Sequence, residues 1–97
     1  MSAPNVAHQT QNLHVVNWTK FEPAGYDISF NDRKLAAREI TRYDVMEVLW
    51  NGFHVLRDKR HRNRYRIRGR TDAGTPLELI CVAQGKKKLR FITGWPL

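Results

Sequence analysis

Arginine stands at every second position through Arg64-Tyr65-Arg66-Ile67-Arg68-Gly69-Arg70. In an extended strand successive side chains point to opposite faces, so four guanidinium groups would line one face while Tyr65 and Ile67 pack on the other. Four like charges at that spacing repel one another, and an anion set against them relieves the repulsion. The guanidinium fork matches phosphate in geometry and stays charged at any working pH. The row therefore points to phosphate binding, with nucleic acid as the first partner to consider. The alternative is the solvated outer face of a half-buried sheet, although a strand kept only for solubility usually mixes the two signs of charge.

The same residues could support metal-free cleavage of RNA. That reaction needs a base for the 2′-hydroxyl proton, a cation for the phosphorane and an acid for the leaving oxygen. Arg64 and Arg66 suit the cationic role, and His61 beside them is the candidate base; its alternative is a loop histidine that only makes a turn. Arg57, Lys59, Arg60, Arg62, Arg68, Arg70, Lys87, Lys88 and Arg90 complete the expected phosphate-binding set. Tyr65 is expected in the core, with base stacking as its alternative. His54 reads as partly buried at the start of a strand. Trp18 and Trp50 read as packing residues, and Trp95 as either buried or available for stacking. Glu78 interrupts an apolar run and is expected to pair with Arg66 or Arg68 across the ladder.

Charge is unevenly distributed along the 97 residues. Residues 1–56 hold five basic and six acidic side chains, whereas residues 57–97 hold twelve and three. A sequence pI near 10.3 with this clustering fits a nucleic-acid footprint, and the same field would attract an acidic protein partner. The length suits one domain with a modest core. No run approaches the roughly 18 apolar residues of a membrane span, and no apolar signal core opens the chain, so a cytoplasmic location without membrane contact is expected. The single Cys81 lies in the apolar run Leu79-Ile80-Cys81-Val82-Ala83 and reads as a core residue. One Cys and four scattered His give no metal-ligand spacing, so neither metal nor cofactor is expected.

The elements that would position the arginines follow from pattern. Residues 1–12 are polar and read as a disordered tail, with a single domain over residues 13–97. Leu13 to Trp18 suggests a short strand or an apolar arm. Ser29 or Asn31 can cap a first helix carrying Leu35, Ala36 and Ile40. Thr41-Arg42-Tyr43-Asp44 has capping-box spacing, and Val45, Val48 and Leu49, widened by Met46 and Trp50, form the apolar stripe of a second helix ending at Asn51-Gly52. Strands are predicted at Phe53–Arg57, Arg62–Thr71, Leu77–Ala83 and Lys88–Trp95, with turns at Asp72–Pro76 and Gln84–Lys87. The third is apolar throughout and should be central. Short connections favour an antiparallel meander, giving an α+β domain with two N-terminal helices on a four-stranded antiparallel sheet.

This order, with a basic sheet, resembles the RelE/ParE toxin superfamily, and more nearly BrnT-like toxins and a related group of small uncharacterised domains. The resemblance rests on Phe30-Asn31-Asp32, Lys34, Arg38, Ile40-Thr41 and Asp44-Val45, then Arg64-Tyr65, Ile67 and Gly69-Arg70-Thr71, then Leu79-Ile80-Cys81-Val82, then Phe91-Ile92-Thr93 and Trp95. Where BrnT-like sequences usually carry Lys-His-Gly before the second helix, this chain has Ala37-Arg38-Glu39. The resemblance implies a RelE/ParE-like fold, a toxin-like ribonuclease of a toxin–antitoxin system, RNA as the favoured nucleic acid and an acidic antitoxin as partner.

Overall fold

The computed structural model describes residues 16–97. The expected tail over residues 1–12, and residues 13–15 of the apolar arm, lie outside the described residues. Two 3-10 turns, Trp18–Lys20 and Pro23–Gly25, precede β1 (Asp27–Phe30), α1 (Asp32–Ala36), α2 (Arg42–Trp50), β2 (Phe53–Arg57), β3 (Arg64–Arg70), β4 (Pro76–Gly85) and β5 (Lys88–Pro96).

The domain is α+β, with one five-stranded sheet in the order β1-β5-β4-β3-β2. Strands β2 to β5 form the expected antiparallel meander, and β4 is central. The expectation of four antiparallel strands is corrected by β1, which pairs parallel to β5 from Asp27↔Lys88 to Phe30↔Phe91. Only four residues carry its two-residue alternation, and their partner lies far along the chain, so local pattern could not reveal it.

Helix α1 is also shorter than its apolar spacing suggested. The Asn31 side chain caps it by accepting from the Lys34 backbone N–H at 3.2 Å. Its end is closed by two backbone bonds, Glu39 N–H to Ala36 O and Ile40 N–H to Leu35 O, both 2.9 Å. This is the bonding of a Schellman motif, which requires the left-handed conformation at Glu39 (φ 59°). Leu35 and Ile40 both remain buried, so the spacing that suggested one helix holds a helix and its closing turn. Glycine is the usual residue at such a position. Glu39→Gly should therefore stabilise the protein by about 0.5–1 kcal/mol, strain relief exceeding the added unfolded-state freedom. A rise in the thermal midpoint would show it, and an unchanged or lower midpoint would contradict it.

Helix α2 has both capping-box bonds. Thr41 N–H donates to Asp44 Oδ2 at 2.9 Å, and Asp44 N–H donates to Thr41 Oγ1 at 3.1 Å. Val45, Val48 and Leu49 point into the core. Trp50 does not pack as expected: at the last position of the helix it is 63% exposed, its rotation past Leu49 carrying it off the buried stripe. The Asn51 side chain ties this end to the sheet, donating to Arg70 O and Asp72 Oδ1.

Both helices lie on one face of the sheet. Their residues Leu35, Val45, Val48 and Leu49 join Tyr65, Ile67, Leu79, Cys81, Leu89 and Phe91 in the core. Contact is close enough that a Cβ on Gly69 would stand 2.7 Å from Val48 Cγ1. Glycine in the arginine strand thus lets α2 approach β3. The described end of the apolar arm packs on the same face: buried Val16 donates its N–H to Tyr65 Oη at 3.3 Å, and Trp18 lies against Phe21, Phe53 and Tyr65.

Candidate nucleic-acid interface

The period-two reading of β3 holds. Tyr65 and Ile67 are buried under the helices, whereas Arg64, Arg66, Arg68 and Arg70 stand on the opposite face. Cross-strand partners share a face of the sheet, so register extends this surface over the neighbouring strands. One row reads His54, Arg68, Glu78 and Trp95 across β2, β3, β4 and β5. The next reads Leu56, Arg66, Ile80 and Thr93. A third reads Arg64, Val82 and Arg90. Among the described residues no helix covers these rows, which together form the open face of the sheet.

Glu78 is buried and meets two arginines from the centre of the open face. Its Oε1 accepts from Arg68 Nε at 2.6 Å, and its Oε2 lies 3.3 Å from Arg66 Nε. The expected pairing with one arginine thus involves both. A buried carboxylate needs such partners to offset its desolvation. Both arginines remain roughly half exposed, and among the described residues their terminal Nη groups make no hydrogen bond. Arg70 donates to Gly74 O at 2.9 Å. Arg64 has no acidic partner within ion-pair distance among the described residues, and its Nε is buried without a hydrogen bond. One carboxylate thus serves two of the four arginines, and donors remain for an external anion.

A second cationic feature lies where β2 turns back into β3. Arg57, Asp58, Lys59, Arg60 and Arg66 line an open basin of about 430 Å³. Four residues selected from sequence, Arg57, Lys59, Arg60 and Arg66, are brought together there. The Asp58 side chain accepts from the Arg60 N–H at 2.8 Å. That bond, with smaller contributions from the charges of His61, Arg64 and Arg60, holds its carboxyl below the usual carboxylate range. His61 is exposed in this loop and does not line the basin. Arg62 lies in the same loop, its carbonyl facing Arg57. Lys87 and Lys88 lie at the β4–β5 turn, at the same end of the sheet because Ala83 N–H donates to Asn63 O. Arg90 flanks Val82 opposite Arg64.

Acidic residues collect at the other end. Glu39, Asp44, Glu47 and Asp72 line a cleft of about 610 Å³ together with Arg38. Among the described residues no group of three or more His, Cys, Asp or Glu could hold a metal ion. Cys81 is inert, its thiol pushed up to about 12 by burial.

His54 was not selected from sequence. The structure places it exposed in the Arg68 row rather than partly buried. Its face depends on how the loop over residues 58–63 sets the β2–β3 register, and no periodicity within β2 reports that. Trp95 proves half-buried and belongs to the same row.

No helix among the described residues is long and apolar enough to cross a membrane. A protein-family model described as Domain of unknown function (DUF4258) matches residues 32–93, from the start of α1 into β5. Neither curated proteins nor solved structures gave a match.

Proposed function

The chain belongs to the family described as Domain of unknown function (DUF4258), and for this member we propose nucleic-acid binding, RNA favoured, through phosphate contacts on the open face and the β2–β3 basin. The observation that carries this reading is the placement of Arg64, Arg66, Arg68 and Arg70 on one helix-free face with one carboxylate among them. The basin adds Arg57, Lys59 and Arg60 at the end of that face. Each phosphate neutralised by a cation releases counterions, so affinity must fall steeply with salt while sequence preference stays weak.

The test is a titration of labelled RNA over a range of salt concentrations. With about four phosphates neutralised on a single strand, affinity should fall roughly 50-fold between 50 and 200 mM salt. Arg66→Ala should weaken binding and flatten that slope by about one unit. Absent binding at low salt, or binding indifferent to salt, would refute the reading.

A second reading adds chemistry to the same site: metal-independent RNA cleavage with His61 as base and Arg64 and Arg66 as phosphorane-stabilising cations. It is favoured by the backbone bond that joins two of these residues, Arg64 N–H donating to His61 O at 3.3 Å, beside the basin that Arg66 lines. With the resemblance to RelE/ParE and BrnT-like toxins, this reading makes the protein a cytoplasmic toxin-like ribonuclease. An acidic antitoxin would then be its partner.

A further inference from the structure

Apolar and aromatic side chains accompany the arginines on the open face. The His54–Arg68–Glu78–Trp95 row sets a ring on each side of the arginine strand: His54 one strand away and Trp95 two. Beside it Leu56 is 39% exposed and Val82 is half-buried. Adjacent strands are about 4.8 Å apart, so Trp95 lies within roughly 10 Å of the arginine row. Same-face arginines recur about every 7 Å along β3, comparable to the phosphate step of an extended nucleic-acid strand.

A duplex has nothing to offer the rings. Its bases are stacked inside, and its outer surface of phosphate and sugar would meet only the arginines. An unpaired strand can lay phosphates along the arginines and turn base faces onto flanking rings, as in single-strand binding generally. Resting on the phosphate-binding reading above, we infer that the open face is a site for unpaired RNA, with Trp95 and His54 as stacking platforms on either side of the arginine row. The Glu78 carboxylate accepts from Arg68 Nε between the two rings and lies 3.3 Å from Arg66 Nε in the next row, and both arginines and Trp95 project from strands rather than loops.

The experiment compares a short mixed-sequence RNA with the same RNA annealed to its complement, using the full chain at one fixed salt concentration. The single strand should bind at least about 10-fold more tightly, the size of one or two base–aromatic stacks. Trp95→Ala should remove most of that margin while leaving the salt slope unchanged, since slope counts phosphates and not bases. Trp95→Phe should keep most of it. His54→Ala alters only an exposed edge-strand residue and should fold normally; it should lower single-strand affinity by a smaller factor, which keeps the inference testable if Trp95→Ala fails to fold. Equal or tighter duplex binding, or a margin untouched by both alanine variants, would overturn this inference and leave phosphate binding standing. Failure of both RNAs to bind at low salt, with capture of an acidic protein instead, would overturn both.

Discussion

Ile67→Asp should unfold the protein. Ile67 is fully buried in the middle of β3, opposite Val55 on β2 and Leu79 on β4, under the helices. A carboxylate there would have no partner, and burying an unpaired charge costs several kcal/mol. A small domain has only about 5–15 kcal/mol of net stability. The adjacent Arg66→Ala removes a half-exposed side chain and leaves Glu78 paired with Arg68, so it should cost far less. Thermal melts followed by circular dichroism decide the point. A cooperative melt near wild type for Ile67→Asp would mean that the arginines, not the isoleucine, face the helices.

The other large effect belongs to the cleavage reading. If the protein cuts RNA, the reaction should proceed in chelator and leave a 2′,3′-cyclic phosphate, because the attacking group is the neighbouring 2′-hydroxyl. His61→Ala should slow the reaction by roughly 10²–10⁴-fold, the range for loss of a general base. Its affinity for RNA should change little, since His61 stands outside the basin. Arg66→Ala should lower both affinity and rate. Purified protein on mixed-sequence RNA provides the test: activity lost to chelator, or undiminished in His61→Ala, refutes the assignment. Salt-sensitive binding without any cleavage would leave the binding function alone.

What sequence could reveal here depended on distance along the chain. The arginine face was legible because a two-residue period is local, and Tyr65 and Ile67 went where that period sends them. The capping box at Thr41 and Asp44 was legible for the same reason, as was the core position of Cys81. The family match over residues 32–93 runs from the first helix into the last strand of the meander that these patterns described. What remained hidden needed a partner from elsewhere. The face of His54 follows from β2–β3 register, the basin from a loop that returns on itself, and Trp50's exposure from where α2 stops. Strand β1 needed β5, and its short alternation was overshadowed by the helix cap that follows it.

The parallel pairing of β1 with β5 also bears on how the domain assembles. Each strand of the meander pairs with its neighbour in sequence, so β2 to β5 can form through short loop closures. Joining β1 to β5 instead closes a loop of about 60 residues, a larger entropic cost that the meander must already be in place to offset. On a ribosome, β1 emerges well before the strand it needs and must remain unpaired until β5 has been made. During that interval Ile28 and Phe30, which later pack against the core, sit on an unpaired strand edge. Such an edge is a template for pairing with another nascent chain. The last step of folding would then also be the one most exposed to misassembly.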